Sequence, residues 1–284
     1  MKTAVITTVH GRGDHLRRQL EGLADSTLTP DMHVVVALGD PTVTDVVTRA
    51  GSSAVVVDCP TRAPLPVALG RNTGAAAAAR AGADLLVFLD VDCIPGADLI
   101  DRYHTVAGRP EHRDALLCGP VTYLDPPGPG GYALSEIRAR PDPHPARPAT
   151  QDGTVVAATD YALFWSLSFA VGVATWHRIG GFCELYRGYG GEDTDFAQCA
   201  AAQQVPMRWV GGAHAFHQYH PVSDPPVEHL DDIVRNATIF YRRWGWWPME
   251  GWLSSFAAEG LIYRSNNGHL VRVKPERSPP VRQI

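Results

Sequence analysis

Residues 85–92 read LLVFLDVD, an apolar run that ends in two acidic residues. Five consecutive apolar residues are typical of a strand that is buried on both faces in the middle of a parallel sheet. The run is also far shorter than the roughly 20 apolar residues that cross a bilayer. Because alternate residues of an extended chain point to the same side, we expect Asp90 and Asp92 to project together beyond the end of this strand.

The sequence before this strand alternates between strand-like and helical segments. Apolar, β-branched runs at 4–9, 33–38 and 54–57 are separated by segments of helical composition at 14–24 and 41–50. This alternation predicts a mostly parallel sheet flanked by helices, the α/β class, whose ligands bind beyond the carboxyl ends of the strands. The polar residues at these ends are Thr8, His10 and Arg12 after the first strand, Asp40 after the second, and Asp90 and Asp92 after the fourth.

The composition limits the class of protein. The 25 Lys and Arg against 30 Asp and Glu give a net charge of −5, which argues against a nucleic-acid partner. The 45% of hydrophobic residues excludes a disordered chain. Five cysteines without C-x-x-C spacing indicate reduced thiols rather than disulfides or a zinc ribbon. With no signal-peptide core and no transmembrane segment, these features predict a cytoplasmic protein.

The chain changes character in its second half. Residues 125–152 are rich in Pro and Gly and predict a lid or a disordered insertion. Residues 223–265 carry many large apolar side chains, which predict a helical extension broken near Pro248. Its tryptophans could belong to the core, to a homodimer face or to a platform for acceptor rings. The basic, Pro-containing residues 266–284 predict a flexible tail.

The D-x-D pair offers two hard oxygen ligands for a divalent cation. Mg²⁺ or Mn²⁺ held by one or two carboxylates keeps positions open for substrate phosphates, which is what a nucleotide diphosphate needs. The alternative is that Asp90 and Asp92 only cap a helix that starts near Pro95.

A second motif, GYGGEDTD at 188–195, combines glycines that let the backbone approach a ligand with acidic residues that open a helix. Aromatic residues lie on both sides of it, and aromatic faces beside carboxylates suit a sugar. Acidic residues at a helix N-terminus also serve as simple capping, which is the alternative interpretation.

Three histidines, His214, His217 and His220, follow at a spacing of three. In a chain that already offers a D-x-D pair, they suggest that one neutral imidazole completes a metal site. A mixed set of oxygen and nitrogen ligands favours Mn²⁺ over Ca²⁺. The alternative is a group of loop histidines that bond to nearby backbone.

Taken together, these motifs resemble glycosyltransferase family 2 of the GT-A fold over residues 3–222. The second half is similar to the galactosyltransferase C-terminal module of β-galactosyl- and N-acetylgalactosaminyltransferases. The stretches that carry the resemblance are VITT at 5–8 with Arg12, VVVALGD at 34–40, GRNTG at 70–74, FLDVD at 88–92, and GGF at 180–182 leading to GGEDTD at 190–195. The resemblance implies a GT-A domain over 1–222, with a nucleotide-binding half at 1–120 and an acceptor and catalytic half at 121–222.

The resemblance also implies roles at the nucleotide. In the family, the tips of the first two strands hold the base, and the arginine before the asparagine of GRN faces the base or the diphosphate. The first acid of D-x-D lies near the ribose and the second binds the metal. The corresponding residues are Thr8, His10, Arg12 and Asp40 for the base, Arg71 for the base or diphosphate, Asp90 near the ribose, Val91 as a further nucleotide-sugar-binding residue, Asp92 for the metal, and His217 as the first choice for an additional metal ligand.

On the sugar side, the family's catalytic base maps onto Asp193. Glu192 and Asp195 would then orient sugar hydroxyls or stiffen the loop, and Tyr189 and Trp165 are expected to contact the acceptor. The sequence departs from the family where its second strand ends in ALGD at 37–40, because many relatives have two acids there. Selectivity for the base and the choice among the three histidines therefore stay open.

The activity that the resemblance implies is inverting transfer of a hexose or N-acetylhexosamine from a UDP-type sugar to a hydroxyl of a small-molecule or glycan acceptor, with Mn²⁺ or Mg²⁺. One general base suffices, whereas a glycosidase needs two carboxylates flanking the scissile bond. A metal-dependent nucleotidyltransferase or phosphatase and a non-catalytic carbohydrate-binding protein are the alternatives. A Rossmann dehydrogenase is set aside, because no G-x-G-x-x-G follows the first strand.

Overall fold

The computed structural model describes residues 1–273, so most of the predicted tail at 266–284 lies outside the described residues. The chain divides into two compact units. The first contains Met1–Arg187 and Glu192–Pro221, and the second contains Gly188–Gly191 with the chain from Val222 onward. No helix within residues 1–273 is both long and apolar enough to cross a membrane.

The first unit is a mixed α/β structure. Its strands are β1 (Thr3–Val9), β2 (Met32–Leu38), β3 (Val55–Cys59), β4 (Leu85–Leu89), β5 (Cys93–Pro95), β6 (Leu116–Cys118), β7 (Val121–Tyr123), β8 (Val155–Ala157), β9 (Ser168–Gly172), β10 (Met207–Val210) and β11 (Ala215–His217). Its helices are α1 (Gly13–Ala24), α2 (Val43–Arg49), α3 (Val67–Arg80), α4 (Leu99–Ala107), α5 (Leu134–Ala139), α6 (Val173–Ile179) and α7 (Glu192–Ala202).

In the described part of the chain, eight of these strands form one sheet in the order β3-β2-β1-β4-β9-β6-β10-β8. β3, β2, β1 and β4 are mutually parallel, as the alternation of strands and helices predicts. β9 runs antiparallel to both β4 and β6, while β10 is parallel to β6. The α/β class with a mostly parallel sheet is therefore confirmed.

Strand β4 is fully buried because both faces of the sheet are covered. Leu86 and Phe88 point into the core on one face, and Leu85, Val87 and Leu89 point into the core on the other. This alternation explains why the run contains no polar residue. It also fixes the place where the chain must leave the sheet, immediately before Asp90.

Helix α3 packs unusually close to the sheet. A Cβ atom at Gly74 would lie 2.5 Å from Ile6 Cγ2, and one at Gly70 would lie 2.8 Å from Leu38 Cδ2. Glycine at these two positions therefore lets the helix lie directly on β1 and β2. The close approach buries Arg71, which directly follows Gly70, under the carboxyl end of the sheet.

A second, three-stranded sheet in the order β5-β11-β7 was not expected from the sequence. β11 pairs antiparallel with β5, so that His217 lies opposite Cys93, and parallel with β7, so that His217 lies opposite Tyr123. Strands of three residues give weak sequence signals. This small sheet is nevertheless what brings the histidine segment to the D-x-D pair.

The Pro- and Gly-rich segment at 125–152 is more ordered than its composition predicts. It contains helix α5, and Pro143 forms a bridge with Thr122 at the edge of the small sheet. Its side chains also make tertiary contacts, since Arg138 donates to the carbonyl oxygen of Pro95 at 3.1 Å. Proline lacks a backbone N–H and disfavours helix interiors and central strands, but it is tolerated at a sheet edge and does not prevent a segment from packing against its neighbours.

The second unit consists of helices α8 (Leu230–Trp244) and α9 (Glu250–Ala258) and the hairpin of strands β12 (Ile262–Arg264) and β13 (Leu270–Arg272). The two helices flank Pro248, as predicted. The expectation of a flexible tail from residue 266 is wrong for β13, because its backbone pairs with β12. Asn236 donates to the carbonyl oxygens of Tyr189 and Gly190, which explains why Gly188–Gly191 belong to this unit.

Candidate active site

The D-x-D pair and the histidine segment meet at the carboxyl end of the sheet. Because β5 starts directly after Asp92 and pairs with β11, two imidazoles are placed beside the Asp92 carboxylate. Asp92 Oδ2 lies 3.5 Å from His217 Nε2 and 3.7 Å from His220 Nε2. Among the described residues, these three side chains form a cluster whose candidate ligand atoms all lie within 4.8 Å of one another.

This cluster fits a divalent cation. Asp92 Oδ1 is buried and has no hydrogen-bond partner among the described residues, so the carboxylate has capacity for a further ligand. Burial alone would raise the pKa of Asp92, but the imidazoles of His217 and His220 hold it below its ordinary value. Burial and the charge of Arg12 lower the pKa of His220, which keeps this imidazole neutral at neutral pH, as a metal ligand must be.

Two buried glutamines shape this site, and the sequence interpretation missed both. Gln19 donates to the carbonyl oxygen of Asp90 at 2.7 Å and to that of Cys93 at 3.1 Å, which fixes the turn between β4 and β5. The backbone N–H of Gln218 donates to the carbonyl oxygen of Asp92 at 2.7 Å. The local signal for Gln19 is its position on the buried face of the amphipathic helix α1, where an apolar side chain would be expected.

Arg71 connects the D-x-D pair to the second acidic motif. Its guanidinium donates to both oxygens of Asp90 at 2.9 and 3.1 Å, and to Glu192 Oε1 at 3.1 Å. The side chain is buried and also lies over the ring of Phe182. Burial would lower the pKa of Arg71, but Asp90 and Glu192 raise it. Instead of facing a base or a diphosphate, as the resemblance implies, Arg71 is a bridge between two carboxylates.

We expect Arg71→Met to destabilise the fold by about 3–5 kcal/mol, because it leaves the Asp90 and Glu192 carboxylates buried without their counter-ion. Urea unfolding at pH 7 measures this change. Arg17→Met is the matched control, since Arg17 forms an exposed pair with Glu21 on α1 and should cost less than about 1 kcal/mol. Equal losses for the two variants would contradict the bridging role of Arg71.

Asp193 lies in the first turn of α7, next to Glu192. Gly190 and Gly191, immediately before the helix, have φ values of 88° and 91°, which L side chains rarely adopt. Burial and the neighbouring Glu192 charge raise the pKa of Asp193 to about 7. Within residues 1–273, Asp193 Oδ1 accepts from the backbone N–H and hydroxyl of Thr194. A carboxylate with this pKa is suited to accept a proton at neutral pH.

The tips of β1 and β2 are joined to each other. Asp40 accepts from the backbone N–H of Gly11 at 2.8 Å and from the hydroxyl of Thr42, and these hydrogen bonds lower its pKa. His10 Nδ1 lies 2.7 Å from the carbonyl oxygen of Leu38. Thr8 is partly buried at the end of β1, whereas the side chain of Val91 packs in the core with Val9 and Leu16.

A cavity of about 380 Å³ opens beside these tips. Its walls come from the start of α1, from the Pro- and Gly-rich segment and from the chain after β11, and they include Arg12, His15, Arg18, Tyr132, Gln218 and Tyr219. Its lining also includes Asp14, so the guanidinium groups of Arg12 and Arg18 leave the cavity with one net positive charge. Gln218, whose backbone N–H bonds to Asp92, connects it to the metal-ligand cluster.

Three predicted residues lie elsewhere or have other partners. Asp195 is fully buried and accepts from the hydroxyl of Tyr186 at 3.1 Å, which fits the expectation that it stiffens the loop and not the expectation that it contacts a sugar or an acceptor. His214 is not in the cluster and bonds to Thr122 Oγ1 at 2.7 Å. Tyr189 belongs to the second unit, where it stacks on His229 with ring centroids 4.5 Å apart.

A mostly parallel sheet flanked by helices, with carboxylates and imidazoles gathered at the carboxyl end of its central strand, defines a protein of the GT-A glycosyltransferase fold. The comparisons with known proteins support this class. A family model described as the N-terminal domain of galactosyltransferase matches residues 156–221.

Two curated relatives are validoxylamine A glucosyltransferases from Streptomyces hygroscopicus. The protein from subsp. limoneus is 29% identical over 225 residues, which cover 72% of this chain and 49% of the relative. The protein from subsp. jinggangensis (strain 5008) is 29% identical over 157 residues, which cover 50% of this chain and 36% of the relative. The chain thus spans no more than about half the length of these relatives.

Solved structures support the fold. The crystal structure of S. aureus TarS 1–349 in complex with UDP-GlcNAc has a TM-score of 0.61 at 13% identity, covering 91% of this chain and 76% of that chain. The crystal structure of GalNAc-T7 with UDP, GalNAc and Mn²⁺ has a TM-score of 0.55 at 12% identity, covering 78% of this chain and 44% of that chain. Together, the comparisons support a glycosyltransferase of GT-A type.

Proposed function

We propose that the protein is a metal-dependent, inverting glycosyltransferase that moves a hexose or N-acetylhexosamine from a UDP-sugar to an acceptor hydroxyl. The observation that carries this proposal is the bridge of Arg71 between Asp90 and Glu192. This bridge joins the two acidic motifs, which are far apart in sequence, in one site. Asp92 belongs to the same site, since Asp90 and Asp92 influence each other's ionisation.

Asp193 is the general base of this proposal. Its raised pKa, about 7, lets the carboxylate take the proton of the acceptor hydroxyl as the hydroxyl oxygen attacks the anomeric carbon. The carbon–oxygen bond to the diphosphate breaks in the same displacement, so the anomeric configuration inverts. No second carboxylate has to protonate the leaving group, which separates this site from that of a glycosidase.

Asp92, His217 and His220 would hold a divalent cation. When bound, the cation would stabilise the negative charge on the departing diphosphate. Two imidazoles and one carboxylate suit a transition metal better than Mg²⁺, and this supports Mn²⁺, which is also present in the GalNAc-T7 structure. Arg12 and Arg18 add positive charge to the neighbouring cavity, which suits a diphosphate.

The relatives suggest which donors and acceptors to test. The validoxylamine A glucosyltransferases point to a glucosyl donor and a small polyhydroxylated acceptor. The TarS and GalNAc-T7 structures, which contain UDP-GlcNAc or UDP with GalNAc, point to a uridine nucleotide. We propose UDP-glucose as the first donor and a cytoplasmic location, in keeping with five free thiols in the described chain.

A thermal-shift panel tests the donor. UDP-glucose, UDP-galactose, UDP-GlcNAc and UDP-GalNAc are each added with Mn²⁺, with Mg²⁺, with Zn²⁺ or with EDTA. A ligand present at 100 times its Kd stabilises the fold by about 2.7 kcal/mol, so the true donor with its metal should raise the unfolding midpoint by several degrees. Each uridine donor should lose its effect in EDTA.

Transfer from the selected donor to validoxylamine A and to simple glycosides is then followed by UDP release and by NMR of the new anomeric centre. Inversion is expected. Pyrophosphate release would indicate a nucleotidyltransferase, and sugar binding without metal-dependent turnover or donor hydrolysis would indicate a binding protein. Either of these results would overturn the proposed glycosyl transfer. Retention of configuration would overturn the proposed inverting mechanism.

A further inference from the structure

A series of buried hydrogen bonds crosses the core of the first unit and ends at the turn between β4 and β5, which carries the D-x-D pair. Gln19, on α1, is fully buried and donates its side-chain amide to the carbonyl oxygens of Asp90 at 2.7 Å and Cys93 at 3.1 Å. Gln19 Oε1 accepts from the hydroxyl of Thr7 at 2.8 Å, and Thr7 Oγ1 lies 3.1 Å from His33 Nε2. We name Gln19, Thr7 and His33 the polar network.

The direction of each hydrogen bond in the polar network follows from the chemistry of its groups. Carbonyl oxygens only accept, so the NH₂ group of Gln19 faces the turn and its Oε1 faces Thr7. The hydroxyl of Thr7 has a single proton, which it donates to Gln19 Oε1. His33 Nε2 therefore carries a proton and donates it to Thr7 Oγ1. Burial lowers the pKa of His33 to about 4, so at neutral pH this imidazole is neutral and has one N–H.

Helix α1 lies directly against the strand that follows the turn. A Cβ atom at Gly22 would lie 2.9 Å from Ile94 Cγ2 and 2.9 Å from Pro95 Cδ, so glycine permits this close approach. Gln19 and Gly22 are three residues apart and therefore lie on the same face of the helix. The approach at Gly22 brings the Gln19 amide within reach of the turn. The carbonyl oxygens of the turn need such a donor, because an unpaired buried carbonyl costs about as much free energy as a lost hydrogen bond.

The turn that Gln19 holds carries Asp92, whose carboxylate faces the imidazoles of His217 and His220 at 3.5 and 3.7 Å. The imidazoles reach the cluster from the opposite side, on β11 and the residues after it, where the backbone N–H of Gln218 donates to the carbonyl oxygen of Asp92 at 2.7 Å. The ligands of a bound metal must lie within about 0.2 Å of their ideal distances. The position of the turn relative to β11 therefore decides how well the cluster fits a cation.

We propose that Gln19 is a positioning residue that holds the D-x-D turn, and thereby the Asp92 carboxylate, in place for the cation, and that Thr7 and His33 fix the orientation of the Gln19 amide. The effect on the cation rests on the proposed function, which assigns the cation to the cluster containing Asp92. Gln19 adds no ligand atom to this cluster. It acts through the backbone carbonyls of the turn, so cation affinity depends on residues of β1, α1 and β2 that lie outside the cluster.

Two substitutions in the polar network test the positioning role, with the Kd of Mn²⁺ as the first readout. Gln19→Met keeps the approximate size of the side chain and removes the amide. Titration calorimetry with Mn²⁺ alone should show a Kd about 10-fold higher, the low end of the range for losing an outer partner of a metal ligand. Thr7→Val keeps Gln19 but leaves its Oε1 without the Thr7 donor, so the amide is less well oriented. This variant should raise the Kd about 3-fold, as expected for one hydrogen bond.

Thr3→Val is the matched control for Thr7→Val. Thr3 lies at the other end of β1, is as buried as Thr7 at 1% exposed, and its Oγ1 lies 2.9 Å from His104 Nδ1. Each valine variant removes one buried threonine hydroxyl from a histidine, so the two should lower the unfolding midpoint to a similar extent. Only Thr7→Val should change the Kd of Mn²⁺. A purely structural role of Thr7 would change stability without this difference in Kd.

Hydrogen exchange at the backbone amide of Cys93 tests the turn without any cation. This N–H donates at 2.8 Å to the carbonyl oxygen of Asp90, which is the oxygen that Gln19 also holds. After correction for global stability, exchange should be faster in Gln19→Met and Thr7→Val than in the wild type and Thr3→Val. If the wild type binds no Mn²⁺, the metal dependence of the proposed function fails, and the exchange rate still decides whether Gln19 positions the turn.

The positioning role of Gln19 is refuted if Gln19→Met and Thr7→Val leave both the Kd of Mn²⁺ and the exchange rate of Cys93 unchanged, or if Thr3→Val changes them equally. An effect of Gln19→Met without any effect of Thr7→Val would overturn the part assigned to Thr7 and His33. Unfolding midpoints are measured first. If Gln19→Met does not fold, the comparison of Thr7→Val with Thr3→Val decides the outcome by itself.

Discussion

Asp193→Asn should lower the rate of sugar transfer by about 10²- to 10⁴-fold, because the amide cannot take the proton of the acceptor hydroxyl. The Kd of the nucleotide sugar should change little, since no cation ligand and no group at the cavity beside β1 and β2 is altered. Steady-state kinetics and calorimetry on the same protein separate the two quantities. Undiminished turnover would reject Asp193 as the base.

The same substitution should make the fold more stable above pH 7. Asp193 has a pKa of about 7 in the folded protein and an ordinary value when unfolded, so folding takes up a proton between about pH 4 and pH 7. The wild type therefore loses stability as the pH rises through this window, whereas Asp193→Asn does not. Its advantage should grow up to pH 7 and then stay constant, at about 1–4 kcal/mol.

Asp195→Asn is the matched control from the same motif. Asp195 is buried and bonded to Tyr186, so its substitution should reduce stability and leave the pH dependence of turnover unchanged. In the wild type, kcat should rise with pH through about 7 as Asp193 loses its proton. A variant pair with the opposite behaviour, an inactive Asp195→Asn and an active Asp193→Asn, would reverse the two roles.

Asp92→Ala should abolish the metal-dependent part of UDP binding. It removes the carboxylate that faces His217 and His220, and loss of a direct ligand should weaken Mn²⁺ at least as much as the roughly 10- to 100-fold effect of losing an outer partner. The readouts are the Kd of Mn²⁺ in the presence of UDP and the Mn²⁺-dependent shift in unfolding midpoint. The Kd of Mn²⁺ should rise, the Mn²⁺-dependent shift in the unfolding midpoint should shrink, and turnover should fall with them.

The three histidines provide the controls for this experiment. His217→Ala and His220→Ala should each weaken Mn²⁺, whereas His214→Ala should not, because His214 bonds to Thr122 outside the cluster. A response of His214→Ala equal to that of His217→Ala would place the cation elsewhere. Unchanged Mn²⁺ affinity in Asp92→Ala would show that the Asp92 carboxylate is not a ligand of the cation.

The parallel half of the main sheet and the polar residues at its strand ends could be predicted from local sequence. The apolar run at 85–89 must be buried on both faces, so the residues after it must lie at a sheet end, whatever the rest of the chain does. The motif at 188–195 likewise predicts a tight turn followed by a helix whose first turn is acidic. These are local consequences of side-chain polarity and backbone preference, and they need no knowledge of distant contacts.

Local sequence does not tell which of these groups meet, because that depends on contacts between distant parts of the chain. His214, His217 and His220 are equivalent in sequence, but β11 pairs with β5 in a register that puts His217 opposite Cys93 and leaves His214 against Thr122. Arg71 is a bridge because Gly70 and Gly74 let α3 lie close to the sheet. Such partners are set by strand register and by the distance between packed layers, and both depend on residues remote in the chain.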